Sequence, residues 1–428
     1  MRSINKGGIT INNTIDLFGF EDIKAKDVKI ESDDLEVDIE ITLEKQDVSC
    51  PFCCYNKLKI KEYITKRIVH KHFTGKICII RYRQRRYLCK KCKKTFYEKN
   101  PFVFNDDLHI SQETVLYLLD EFKTTQSFKS IALKAGISTY TVFSIFDKYV
   151  QISPKKLPVI LGIDEFHNTN TGDGKYACIL VDNDKSTANI IDLLPNRRIE
   201  TLSSYFQCTT FQERAVVKYF SSDMYDGYKN IHDTYFPHSI HVIDTFHYIR
   251  MFTDAVTKIR IITMKKYAKD SLEYKILKKY NFVLTMSAKK FKKDKVYFKS
   301  FNKWMNHFDL LHIVLGINFE LTRAYYIKER FVTTYYRYNY QTARKFIDET
   351  IQDLRESNFE VFEEVGSSLE KWKEQILNSY LKYNGKKVTN ARTEGFNNLV
   401  KVIKRVSYGY QSFKRFRNRI LYIQQNNK

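Results

Sequence analysis

Three acidic residues stand where phosphodiester chemistry could use them. Asp164 ends an apolar, strand-like run in LGIDEF, Asp223 ends another in FSSDMY, and Glu394 opens a helical stretch in TEGFNNLVK. Phosphoryl transfer needs its attacking and leaving oxygens stabilised in line. Two divalent ions roughly 3.5–4 Å apart do this, and hard carboxylate oxygens suit Mg²⁺ or Mn²⁺. Taken singly, an Asp at a strand end or a Glu beside the positive end of a helix dipole is ordinary. The chemical reading rests on the three together. Asp244 and His247, in IDTFH, could orient such a site or a scissile phosphate, and could equally cap the helix that follows. Glu165, Asp182 and Asp226 are acidic neighbours to which no role is given.

A second constellation is made of cysteine. Cys50 and Cys53 sit in CPFC, Cys89 and Cys92 in CKKC. Two such knuckles can offer four thiolates to one tetrahedral Zn²⁺, and the residues between them suffice for a strand hairpin, which makes a zinc ribbon. Buried or redox-active thiols are the alternative. Cys54 stands where Gly commonly eases the turn and could compete as a ligand. The zinc would have a folding role, since so small a unit rarely closes a core unaided. Arg81, Arg83, Arg85 and Arg86, with Tyr82 and Tyr87, precede the second knuckle and offer either a phosphate-contacting face or an ordinary solvated strand face.

These groups need elements to hold them. The acidic alternation of ESDDLEVDIEITLE, within residues 1–48, predicts a strand with one solvated face. Residues 49–100 form the zinc ribbon. Residues 101–150 read as a helix-turn-helix: Ser127 caps one helix carrying Ile131 and Ala132, Gly136 turns the chain, and Ser138 caps the next. Val142, Ile145 and Phe146 would then face the core, with Thr139, Tyr140 and Ser144 toward a DNA groove. A plain helix pair is the alternative. From 151 to 262 the strands LPVILGID, YACILVDN and ANIIDLL, two of their turns falling at 168–175 and 183–187, lead into an order βββαβαβα, the topology of an RNase H-like core. With its first and fourth strands adjacent, Asp164 and Asp223 would project from one edge. Residues 263–385 are helical in period with no strand pattern, an insertion. Residues 386–428 carry the last helix of the core and a basic tail, broken at SYGY. There Lys401, Lys404, Arg405, Lys414, Arg415, Arg417 and Arg419 interleave with Tyr408, Tyr410, Phe413 and Phe416, which suits a DNA backbone track or a solvated helix face. The fold class expected is thus α+β and multidomain.

Bulk composition points the same way. The chain has 428 residues, 43% of them hydrophobic, with 72 Lys and Arg against 49 Asp and Glu, a formal charge of +23. Such an excess goes beyond what solubility needs and favours a polyanion. No apolar run is long enough to span a bilayer, so a membrane partner is not expected. The beginning, MRSINKGGITINNTIDLFGF, lacks the basic start and apolar core of a signal peptide. A reducing cytoplasm, with the protein on the nucleoid, is the expected place, and there the 8 cysteines are thiols or metal ligands rather than disulfides.

The chain resembles the ISL-three family of bacterial insertion-sequence transposases, within the DDE class. The stretches that carry the resemblance are CPFC and CKKC, the helix-turn-helix, LGIDEF, SSDMYDGY, DTFH and TEGFNNLVKVIKRVSYGYQSFKRFRNRIL, spanning nearly all of residues 50–423. It implies that Asp164, Asp223 and Glu394 are the catalytic triad, that Asp244 and His247 match a carboxylate-then-His motif of related transposases, and that 263–385 interrupts the nuclease-like fold. It implies double-stranded DNA as the partner, namely the element's terminal inverted repeats and target DNA, cut and joined in a synaptic complex of two or more subunits. Thr245 stands where a basic residue is usual, which would weaken a DNA contact, and Cys54 replaces the usual Gly. A non-catalytic DNA-binding regulator and an RNase H-like nuclease without strand joining are the rival readings.

Overall fold

The computed structural model describes residues 16–426 apart from 17, 22, 74, 106–108, 169–173, 185, 336, 358, 408 and 409; Tyr408 and most of the expected turn at 168–175 therefore lie outside the described residues. The chain divides into two compact units, residues 1–153 with 400–428, and residues 154–399.

The first unit is built on a five-stranded sheet. Strands β1 (Ala25–Ser32), β2 (Glu36–Leu43), β4 (Lys76–Cys89) and β3 (Leu58–Phe73) lie in the order β1-β2-β4-β3, and β5 (Thr95–Tyr97) pairs with β4. Alternation sets which side is wet. In β2, Val37, Ile39, Ile41 and Leu43 are buried while the acidic residues between them face outward. β2 runs parallel to β4, with Ile39 opposite Ile80. Residues 1–48 are therefore not a segment apart. A boundary at 48 would cut a sheet whose core joins Phe20, Ile39, Ile80, Tyr82 and Phe102.

Three short helices follow: α1 (Gln112–Glu121), α2 (Phe128–Ala135) and α3 (Thr139–Tyr149). Ser127 accepts from Ser130 N–H and Ser138 from Thr141 N–H, and Gly136 takes φ +66 between them. Val142, Ile145 and Phe146 are buried, Tyr140 and Ser144 exposed and Thr139 partly so. The helix Phe413–Asn426 packs on this group. Arg419 donates to the Thr124 and Gln126 carbonyls at 2.9 and 3.1 Å, and Tyr422 to that of Leu119 at 3.1 Å.

The second unit holds a five-stranded sheet in the order β10-β9-β6-β7-β8: β6 (Ile160–His167), β7 (Tyr176–Asp182), β8 (Asn189–Leu194), β9 (Tyr219–Ser222) and β10 (Ile240–Ile243). β6, β9 and β10 are parallel; β7 is antiparallel to both its neighbours. Helices α4 (Ile199–Gln207), α5 (Phe211–Ala215), α6 (Asp226–Tyr235) and α7 (Thr245–Lys265) punctuate the strands. α7 runs unbroken to Lys265, across residue 263 where the insertion was expected to start. Beyond it, helices such as Phe319–Tyr335, Tyr340–Arg355 and Glu360–Lys371 enclose a separate apolar core around Phe252, Phe331, Phe346 and Leu369. The expectation of no strands in 263–385 is corrected in two places. Val296–Phe298 pairs with Lys303–Met305, and Lys382–Tyr383 pairs with Lys386–Lys387. The second hairpin turns on Asn384 and Gly385, both at positive φ, which is the Asn-Gly signature of a tight hairpin.

Among the described residues no helix is long and apolar enough to cross a membrane.

Candidate functional site

Register, rather than sequence distance, brings the acidic residues together. β6 pairs with β9 so that Gly162 lies opposite Ser221, and β9 with β10 so that Ser222 lies opposite Ile243. Carried past the last paired residues, the same register sets Asp164 beside Asp223, just past β9, and Asp223 beside Asp244, just past β10; Asp164 does not end its strand as expected, because β6 runs on to His167 along β7. Neighbouring strands are about 4.8 Å apart, close enough for carboxylates to feel one another. Strand ends of this kind are where open α/β sheets usually bind ligands.

Each carboxylate has its own surroundings. Asp164 is tied at both oxygens: Glu165 N–H donates to Oδ1 at 2.7 Å and the Asn397 side-chain amide to Oδ2 at 2.9 Å. Asp223 is not satisfied in this way. Its Oδ1 is buried with no hydrogen-bond partner. Burial first, then the charges of Asp164 and Glu165, push its carboxyl up to about 7, against the pull of Arg197. A buried acid crowded by like charge, with an unclaimed oxygen, is a site short of a cation, so the donor set fits a hard divalent ion.

Arg197 is a cation whose charge acts on Asp223. Its guanidinium lies between the rings of Tyr176 and Tyr225, 4.8 and 4.6 Å from their centroids, and forms an ion pair with Glu165. Asp223 is also held from behind. Ser222 Oγ donates its one hydrogen to the Asp223 carbonyl at 2.8 Å, so the contact with His241 Nε2, also 2.8 Å, must be a hydrogen received from the imidazole. Burial keeps His241 far below its usual range, at about 3, and therefore neutral.

Asp244 sits at the N-cap position of α7 but makes no side-chain cap bond. The Asn390 N–H donates to its Oδ1 at 3.4 Å. Burial raises the Asp244 carboxyl, and Glu394 adds to the rise. Burial lowers His247, while Asp244 and Glu394 oppose that. Glu394 is exposed on the first turn of the helix Ala391–Val406 and belongs electrostatically to this Asp244–His247 neighbourhood. Among the described residues, the acids do not form a group whose ligand atoms all lie within 4.8 Å of one another.

The start of that helix is pinned by a buried amide cluster. Asn183 Nδ2 donates to Asn390 Oδ1 at 2.7 Å, and Thr393 Oγ1 lies 2.8 Å from Asn390 Oδ1 and 3.1 Å from Asn183 Oδ1. The cluster rests on bare backbone at Gly162, where any Cβ would collide with the Asn183 and Asn390 side chains.

A family model described as a transposase, of the DDE class and ISL3 type, matches residues 161–420. The chain belongs to this transposase family. No curated protein matches it. The matched stretch contains all of Asp164, Asp223, Asp244, His247 and Glu394. The family implies a nucleotidyl-transfer enzyme acting on DNA.

In this transposase the four cysteines of the two knuckles converge. Cys50 and Cys92 sulfurs lie 3.6 Å apart, as do those of Cys53 and Cys89, and all four lie within 4.8 Å of one another. A tetrahedron with Zn–S of about 2.3 Å has edges of about 3.8 Å, so the cluster is compatible with structural zinc. Cys54 is outside it, exposed, and at φ +56; Lys93 takes the matching position after the second knuckle at φ +61. The Cys54 and Lys93 N–H groups donate back to the Cys50 and Cys89 carbonyls at 2.8 and 3.1 Å.

The expected basic faces divide. Arg85 is corrected: it is buried, bonded to Glu98 at 3.0 Å and to the carbonyls of Leu43 and Glu44, so it cannot touch phosphate. Tyr82 and Tyr87 are buried too, Tyr82 donating to Glu98 at 2.8 Å. Arg81, Arg83 and Arg86 reach the surface but pair with Asp38, Glu40 and Glu62. Arg419 and Phe416 are core groups, and Tyr410 is nearly so. Arg415 makes a two-pronged pair with Asp147 and covers Phe143, and Arg417 donates to the Ile152 carbonyl at 2.8 Å. Lys401, Arg405 and Lys414 are exposed, and Lys404 partly so.

Sequence reading missed Gly162, Asn183, Asn390, Thr393, Asn397 and Arg197, and left Glu165 without a role. Two signals were present: a Gly inside a strand, which often marks close approach by other groups, and two Asn in the turn before Glu394 and three residues after it.

Proposed function

We propose that this transposase cuts and joins DNA at carboxylates gathered on one sheet edge. The observation that carries the reading is the Asp164–Asp223 pair, one acid firmly oriented and the other half-buried, protonation-prone and with its Oδ1 left without a partner. Asp164 and Asp223 would hold Mg²⁺ or Mn²⁺, with Glu394 closing on them once DNA is bound. Such ions stabilise the charge that develops on the attacking and leaving oxygens. The chain's own groups do the rest. Asn397 and the Glu165 N–H keep Asp164 turned. Arg197 pairs with Glu165 and pulls the Asp223 carboxyl down, so it offsets part of the crowding. Asp244 and His247, an acid and an imidazole that act on each other by charge and both feel Glu394, would orient a scissile phosphate.

The sheet order with three antiparallel and then two parallel partners supports an RNase H-like core. The Cys₄ cluster would hold one structural Zn²⁺. Helices α2 and α3 have the form of a helix-turn-helix, with Tyr140, Ser144 and Thr139 on the face offered to a groove. Together these would bind the terminal inverted repeats, and two or more subunits would hold two ends for strand transfer.

The test is incubation of inverted-repeat DNA and a target plasmid with Mg²⁺ and either wild type or Asp223→Asn. Cut and joined products are expected from wild type and neither from the variant. Equal products from both would overturn the assignment of Asp223; cutting without joined product would leave a nuclease.

A further inference from the structure

Asn397 lies one helical turn after Glu394, on the helix Ala391–Val406. It is buried. Its nitrogen faces two acceptors, Asp164 Oδ2 at 2.9 Å and the Glu165 carbonyl at 3.4 Å. Two acceptors on one side settle which end of the amide is nitrogen, because an oxygen there would face only lone pairs. The other end, Oδ1, is buried and has no hydrogen-bond partner. Buried amide oxygens are normally satisfied, so this one is open to a ligand. A second unclaimed oxygen, Asp223 Oδ1, belongs to the acid beside Asp164.

We propose that Asn397 is part of the divalent-cation site: its amide hydrogens orient the Asp164 carboxylate and its amide oxygen is a neutral donor to the same ion. Charge explains the residue type. Register sets Asp164 beside Asp223, and Glu165 follows Asp164 in the chain, so like charge already crowds this edge. A further carboxylate at 397 would add to that repulsion, whereas an amide contributes a hard oxygen at no cost in charge. Groups that hydrogen-bond a ligating carboxylate typically set metal affinity by 10–100-fold. The inference rests on the carboxylate reading above, and its test separates the two.

Mn²⁺ binding to the full chain is measured by calorimetry for wild type, Asn397→Ala, Asn397→Ser and Asn398→Ala, with each melting temperature taken in EDTA. Asn398 is the exposed neighbour on the same helix and serves as the control. Wild type and Asn398→Ala are expected to bind alike. Asn397→Ala is expected to bind about 10–100-fold more weakly with an unchanged melting temperature. Asn397→Ser, which keeps a short donor and acceptor, is expected to fall between, and it stands in should the Ala variant not fold. Wild-type affinity in a folded Asn397 variant would overturn the inference while leaving the carboxylate site intact. Failure of wild type to bind Mn²⁺ would overturn both.

Discussion

Asn183 and Asn390 share a 2.7 Å hydrogen bond inside the protein although the whole helical insertion separates them in the chain. That bond fastens the turn before Glu394 to the residue that follows β7, beside the strand carrying Asp164, and the fastening is possible because Gly162 has no side chain. Gly162→Ala should therefore drive the Asn183–Asn390 contact apart. A loss of about 1–3 kcal/mol in stability is expected, with cleavage falling by much more than stability does. Chemical denaturation and strand-cleavage rates check this; a fully active Gly162→Ala protein would contradict the close approach.

The raised Asp223 carboxyl has a sign that can be measured. Its folded value is about 7, above the ordinary 3.8. Protonation is thus favoured by folding, and the stability it lends is present at low pH and lost as pH rises from about 4 through about 7. Metal-free Asp223→Asn should be more stable than wild type at pH 8, by roughly 1–3 kcal/mol, and no more stable at pH 3. Mn²⁺ should raise the wild-type melting temperature most at high pH. Melting curves across pH, with and without Mn²⁺, decide it.

Arg197 lowers the Asp223 carboxyl by its charge. Arg197→Gln removes that charge and should raise the value further. The acid side of the pH–rate profile for cleavage should move to higher pH, by roughly half a unit or more. An unmoved profile would show that Arg197 acts elsewhere.

One Zn²⁺ per chain is expected by metal analysis of the purified protein. Cys89→Ser should remove it and lower the melting temperature, since Cys89 ends β4 and anchors the hairpin to the knuckle. Cys54→Gly should keep the metal and stabilise the protein by up to about 1 kcal/mol, because residue 54 sits at φ +56. Loss of zinc in Cys54→Gly would mean that Cys54 is a ligand after all.

Arg85 and Tyr140 should part company. Tyr140→Ala is expected to weaken DNA binding in a mobility-shift assay and leave melting untouched. Arg85→Ala strands the buried Glu98 carboxylate and should cost about 3–5 kcal/mol of stability. The reverse pattern would put the DNA face on the sheet instead of the helices.

What the sequence made readable was local. Ser127, Gly136 and Ser138 mark the ends of α2 and α3 because caps and left-handed turns depend on residues three or four apart. Asp223 was readable as following a strand end, whereas Asp164, expected to end its strand, lies inside β6, which runs on to His167; the cysteine knuckles were readable by their spacing. The expected strand order already put Asp164 and Asp223 on one edge, but register was not readable, so nothing in the chain order announced that Asp244 would stand beside Asp223. Arg85 misled because its partners, Glu98 and the Leu43 and Glu44 carbonyls, are remote in sequence. Asn397 looked like any polar helix residue; its meaning comes from a carboxylate 233 residues earlier.

The clasp of Asn390 and Thr393 on Asn183 also dictates timing on the ribosome. The strands bearing both aspartates leave the exit tunnel long before the turn at 390 does. On the proposed site, a nascent chain halted anywhere in the insertion would carry Asp164 and Asp223 but lack Asn397 and Glu394, and would not yet be able to cut DNA.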